Sequence, residues 1–179
     1  MRCALKRTVA LFLVLILTVA ASGCARKPKT ENPPESGGQP QSEWVTLTLY
    51  FGDRNAEFLR PELRKIPKPV SLAEAIVREL INGPARNDLV RTVPAETELL
   101  SIEIKEGTAY VDFSDEIQTR HPGGSTGEAF TVNSIVNSLT ELPEIKQVVF
   151  LVEGKPIETL AGHLDLSEPV GRVESVIRP

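Results

Sequence analysis

Apolar and polar residues alternate in three stretches of the chain and recur with a helical period in two others. Val45, Leu47, Leu49 and Phe51 alternate with Thr46, Thr48 and Tyr50, which predicts a half-buried strand beginning near Trp44. Gly52-Asp53-Arg54-Asn55 reads as a turn, and "EFLRPELRKIP" after it as a second extended piece broken by proline. Leu72, Ala73, Ile76, Val77 and Leu80 then share one helical face. Ser71-Leu72-Ala73-Glu74 opens that helix as a capping box, Glu74 and Arg78 are spaced to pair, and Asn82-Gly83-Pro84 ends it. Leu100, Ile102 and Ile104 alternate again, Glu106-Gly107 turns the chain, and Ala109, Val111 and Phe113 return as the second arm of a β-hairpin. After the loop Gln118–Gly124, Ser125-Thr126-Gly127-Glu128 repeats the capping pattern. Ala129, Val132, Ile135, Val136 and Leu139 form the buried stripe of that second helix, which Pro143 closes. Gln147–Val152 is nearly continuous apolar sequence, the mark of a strand that is central or covered on both faces. From Pro156 onward the chain reads as short extended pieces and turns.

The order of long elements is therefore β-α-β-β-α-β. It predicts an α+β fold, a single compact domain with two helices packed on one face of a small sheet. A ferredoxin-like arrangement is the default for this order. That fold places its last strand at an edge, whereas Val148–Val152 reads as central, so the strand order stays open. With one Trp, two Tyr and six Phe in 179 residues, the core is expected to be largely aliphatic.

The N-terminal residues change the picture from fold to compartment. Arg2, Lys6 and Arg7 precede an apolar run from Val9 to Ala21, and the run is only 13 residues long. A bilayer-spanning helix needs about 20. A basic start, a short apolar centre and small residues at the end fit a secretory signal. Ala21-Ser22-Gly23-Cys24 resembles a bacterial lipobox, cut before a cysteine that then carries lipid; Ala21 stands where Leu is more usual. On this reading residues 1–23 are a lipoprotein signal peptide, Cys24 is the lipidated N-terminus, 24–43 a disordered tether and 44–179 the folded domain. The tether sequence "RKPKTENPPESGGQPQS" has no apolar side chain to bury. The expected location is the outer face of the cytoplasmic membrane.

Charge and cysteine content then narrow the chemistry. Without Arg2, Lys6 and Arg7 the chain holds 17 Lys and Arg against 24 Asp and Glu, a net charge of about −7. That excludes a basic nucleic-acid footprint and leaves membrane contact to the anchor. Cys3 would leave with the signal, so neither an intramolecular disulfide nor a cysteine metal site is expected. The two histidines, His121 and His163, have few partners. His121 and Ser125 lie near Asp112, Asp115 and Glu116 in sequence, yet no G-x-S-x-G elbow is present and Ser125 reads as a helix cap. His121–Glu128, "HPGGSTGE", resembles an anion-binding loop only in its glycines; it has no Lys, and Glu128 sits where a phosphate would. His163 and Asp165 fall on one side of an extended segment, but two ligands do not make a zinc site. No catalytic residue, metal or cofactor is expected. A cell-wall ligand-binding or hydrolytic role for the His121–Glu128 loop is the alternative.

Several stretches together resemble a known family. They are "VTLTLYFGD", "SLAEAIVRELINGP", "VPAETELLSIEIKEGTAYVDFSDEI" and "GGSTGEAFTVNSIVNSLTELPEIKQVVFLVEGKPIETLAGHLDLSEPV". In order and spacing they are similar to the GerMN domain, also called Germane, of sporulation and spore germination, from Val45 to about Arg172. The resemblance implies a non-enzymatic module similar to the ring-building modules of secretion-type complexes. It implies service in protein assembly or interaction at the cell envelope, through an envelope partner or self-association, and no catalytic residues to carry over. The founding member carries two such domains and this chain one.

Overall fold

The computed structural model describes residues 43–179; the signal, Cys24 and the tether up to Ser42 lie outside them. Strands β1 (Trp44–Asp53) and β2 (Leu59–Pro67) precede helix α1 (Leu72–Asn82) and the two-residue strand β3 (Leu89–Val90). The hairpin β4 (Leu99–Lys105) and β5 (Thr108–Phe113) follows, then a single turn α2 (Glu116–Thr119) and the long helix α3 (Ser125–Leu139). Strand β6 (Gln147–Val152) and the short β7 (Lys155–Pro156) and β8 (Val170–Gly171) complete the order.

The α+β class stands as read, but a second long strand follows β1, so the long elements run β-β-α-β-β-α-β, and the strands divide into two sheets. One has the order β2-β1-β3; the other runs β4-β5-β6-β7, with β8 also on β6. The expected single sheet fails because β1 pairs with β2 and β3 and with no described strand of the other sheet; "EFLRPELRKIP" is a full strand, antiparallel to β1 from Trp44 opposite Pro67 to Gly52 opposite Leu59. Its prolines fit. Pro61 and Pro67 lie opposite Tyr50 and Trp44, at positions where an antiparallel ladder draws no N–H from them. The ferredoxin-like default also fails. β6 is central: β5 runs parallel along one side, and β7 and β8 pair with its two ends on the other.

The helices touch each other; α1 also packs on β1 and β4, and α3 on β1 and β6. Leu49, Phe51, Val77, Leu80, Val111, Phe113, Ile135, Leu139 and Phe150 are buried between them. Close approach fixes one glycine. A Cβ on Gly52 would stand 2.9 Å from both Phe130 and Val90, so β1 must be bare there. The β4–β5 hairpin turns at Glu106-Gly107 with φ of 50° and 82°, the twist that a two-residue hairpin favours.

α3 is buried on more than its apolar stripe. Thr131, Ser134, Asn137 and Ser138 are buried as well. By the alternation that places Pro61, the N–H and C=O of Thr46, Thr48 and Tyr50 point away from β2. At Tyr50 the hydroxyls of α3 meet them: Tyr50 N–H donates to Ser138 Oγ (3.0 Å) and Ser134 Oγ donates to Tyr50 O (2.6 Å). One helix face thus does at this edge what a third strand would do.

Candidate functional site

The loop His121–Glu128 and the C-terminal arm meet at the start of α3. Gly123 N–H donates to His121 Nδ1 (2.9 Å), so the proton sits on Nε2 and is given to Thr131 Oγ1 (2.9 Å). Thr131 Oγ1 in turn donates to Thr92 O (2.6 Å), and Thr92 and Ser134 hydroxyls meet at 2.7 Å. The half-buried ring is a neutral structural link. Burial holds its pKa below the ordinary 6.5, against the pull of Glu128.

Glu128 is fully buried. Its Oε1 accepts from Thr159 Oγ1 (2.5 Å), Leu160 N–H (2.9 Å) and Ala161 N–H (2.9 Å), and its Oε2 from His163 N–H (2.7 Å). Burial alone would raise its pKa; the bonds from Ala161, Thr159, His163 and Leu160 prevail and hold it below 4.5. The predicted capping box at this helix therefore does not form. Gly124 is the N-cap, with no side-chain cap bond, and the Glu128 carboxylate fastens loop 159–163 to the helix.

Two other charged groups act in the same manner. Buried Glu62 accepts from Ala85 and Arg86 N–H (2.9 and 3.0 Å) and pairs with Arg64. Arg172 donates to Asn137 O (2.7 Å) and Tyr50 OH (3.0 Å) and pairs with Glu141 (2.9 Å) and Glu174 (2.5 Å). Burial alone would weaken its charge, but Glu174, Tyr50 and Glu141 keep the guanidinium ionised. Val173 N–H and Asn137 Oδ1 add a bond at 3.0 Å. The arm is thus locked along α3.

The hydrolytic set weighed from sequence is not brought together. Ser125 and Asp115 are exposed, and no described hydrogen bond joins either to His121. His163 and Asp165 line an open depression of about 380 Å³ with Glu158, Thr159 and Leu164, and Asp165 Oδ1 accepts from Ser167 N–H (2.9 Å). Among the described residues no three His, Cys, Asp or Glu side chains gather closely enough to hold a metal, and no helix is long and apolar enough to cross a membrane. The polar face of α3 was missed. Its signal is that no charged residue occurs from Ala129 to Thr140, although Thr131, Ser134, Asn137 and Ser138 occupy what would be the solvent side.

What remains open is a surface. Among the described residues nothing pairs with the outward N–H and C=O of Thr46 and Thr48. Beside them runs a groove of about 380 Å³ walled by Val45, Leu47, Leu72, Ile76, Glu141 and Leu142.

Residues 48–158 match the family Germane, sporulation and spore germination. The spore germination protein GerM of Bacillus subtilis is 24% identical over 159 residues, 85% of this chain and 42% of that protein. The chain thus spans less than half the length of this relative. The tandem GerMN domains of B. subtilis GerM superpose with a TM-score of 0.63 at 23% identity, over 72% of this chain and 46% of that one, a likeness of fold alone. The first GerMN domain of the same protein gives 0.57 at 25% identity, over 72% and 98%. A candidate lipoprotein from Clostridium perfringens gives 0.51 at 29% identity, over 72% and 87%.

Proposed function

The chain belongs to the Germane family of sporulation and spore germination, and on that premise we propose that it is a lipid-anchored envelope protein whose domain makes protein contacts and performs no catalysis. One observation carries the reading. The buried ionisable groups of the domain are engaged internally, His121 with Thr131, Glu128 with loop 159–163 and Glu62 with loop 84–86, while the edge of β1 stays open at Thr46 and Thr48. A free strand edge beside an apolar groove is the means by which sheets accept an extended segment of a partner. Residues 1–24 support delivery to the outer face of the cytoplasmic membrane, with Cys24 acylated. The names of the relatives agree with that setting: one is a spore germination protein, the other a candidate lipoprotein.

The contact is tested with a photo-crosslinker at Thr46 in sporulating cells, together with sedimentation of the purified protein. The expected result is one repeated crosslinked protein, or a concentration-dependent oligomer, that is lost in Thr48→Pro. That change removes the outward donor and no ladder bond. A monomer at high concentration with no repeated crosslink refutes the reading. The anchor is tested by labelled-palmitate incorporation, which Cys24→Ala is expected to abolish.

A further inference from the structure

The end of the domain at which the chain arrives from residue 42 carries an apolar tip. Trp44 is 54% exposed, and Val70, in the turn between β2 and α1, is exposed completely. Lys68 N–H donates to Glu43 O (2.6 Å), which fastens this turn to the entry of β1. Trp44 and Pro67 are cross-strand partners and Val70 follows three residues on, so all three lie at this end of the domain. The Lys65 ammonium lies 5.7 Å from the centre of the Trp44 ring, and Lys68 pairs with Glu43.

We infer that this tip rests on the surface of an anionic bilayer, with Trp44 at headgroup depth, Val70 pressed into the interface and Lys65 towards lipid phosphate. The inference rests on the reading of Cys24 as a lipid anchor. That reading, with residues 24–43 taken as a flexible tether, places lipid within reach: 18 residues separate Cys24 from Glu43, and a flexible chain of that length would span about 20–25 Å on average. A domain of this size has a radius of gyration of about 14 Å, so the end bearing Trp44 is the end held near the membrane. Tethering raises the local concentration to the millimolar range, so a contact too weak to hold a free domain holds a tethered one. The chemistry fits the same occupant. Indole rings flanked by lysine concentrate at bilayer interfaces, where the lysine stem lies on apolar surface and the ammonium reaches water or phosphate. Arg26, Lys27 and Lys29, beside Cys24, share the preference for anionic lipid. The net charge of the whole domain is negative, and this tip departs from it. That contrast would orient the domain, with the acidic remainder turned to solvent.

Trp44 is the one tryptophan of the chain, so its emission reports on the tip alone. Residues 24–179 contain the whole described core, with Cys24 as their one cysteine. This chain is coupled through Cys24 to a maleimide lipid in vesicles of phosphatidylcholine and phosphatidylglycerol. The expected result is a blue shift of Trp44 emission and quenching of about twofold by acyl-brominated lipid. Val70→Glu, at a fully exposed site that leaves the fold intact, is expected to remove most of that quenching. Equal emission in brominated and plain vesicles, with the protein coupled, overturns the inference. So does quenching of Val70→Glu equal to that of the unaltered chain. Absence of palmitate on Cys24 in cells would refute the anchor reading without touching the vesicle result.

Discussion

At the start of α1 the Ser71 half of the predicted capping box forms, Glu74 N–H donating to Ser71 Oγ at 3.2 Å, while the Glu74 side chain stays at the surface beside Arg78 and no described bond returns it to Ser71 N–H. At the start of α3, Ser125-Thr126-Gly127-Glu128 has the same spacing and does otherwise. Ser125 is exposed inside the first turn, Gly124 takes the N-cap, and Glu128 is fully buried under loop 159–163. What differs is the neighbourhood. Among the described residues nothing supplies the Glu74 side chain with donors beyond its own helix. The C-terminal arm brings three backbone N–H groups and a hydroxyl to Glu128. A local motif decides the outcome only where tertiary structure offers its side chains nothing better.

The contrast breaks first at Glu128. Glu128→Ala leaves one buried and three part-buried donors without an acceptor, so a loss of about 3 kcal/mol is expected, read as a fall of roughly 10 °C in Tm. Glu74→Ala, at an exposed pair, should cost no more than about 0.5 kcal/mol. Equal losses in thermal unfolding would mean that the two signatures are used alike after all. The Glu128 pKa is lower in the folded chain than the ordinary 4.5. Its stabilisation is therefore complete above that value and is lost as pH falls below it towards the folded pKa. Glu128→Gln is expected to flatten that part of the acid-stability curve, and an unchanged curve would count against the assignment.

Within α3 the comparison moves to the edge of β1. Ser138→Ala deprives Tyr50 N–H of its acceptor, and Ser134→Ala removes the donor to Tyr50 O; each is expected to cost about 1–3 kcal/mol. Hydrogen exchange gives the sharper reading. The Tyr50 amide should exchange slowly in the unaltered protein and quickly in Ser138→Ala, while the outward amides of Thr46 and Thr48 exchange quickly in both. Slow exchange at Thr48 in the isolated protein would close the edge that the proposed contact needs.

Much of this was legible from the sequence because its cause is local. Alternation gave β1 and the hairpin, and the aliphatic period gave the two helical stripes, of which Ala73, Ile76, Val77, Leu80 and Val132, Ile135, Val136, Leu139 are buried and the first residues, Leu72 and Ala129, half-buried. The rest depends on contacts far apart in the chain. Pro61 and Pro67 read as breakers, yet each falls where β1 asks for no N–H, a fact set by register. Glu128 read as a cap because its donors lie more than 30 residues on. The Thr, Ser and Asn face of α3 went unread because small polar residues look alike whether they meet water or a strand edge; the missing charges were the clue.

The smallest effect isolates the helix starts themselves. Ser71 Oγ accepts one N–H that otherwise has no partner within the helix, so Ser71→Ala is expected to destabilise by about 1 kcal/mol. Ser125 lies one residue inside α3, is exposed and makes no cap bond, so Ser125→Ala should fall within about 0.5 kcal/mol of zero, or stabilise slightly through the better helix propensity of alanine. Both substitutions delete one hydroxyl at the first position of the same sequence pattern, so chemistry and composition cancel in the comparison. Denaturant midpoints of the two variants suffice, because neither change alters the surface exposed on unfolding enough to move the slope. A difference of about 1 kcal/mol assigns the cap to Ser71 alone. Equal losses would place Ser125 at the cap of α3 in solution, free Gly124 from that role, and require the helix to begin one residue later than it does here.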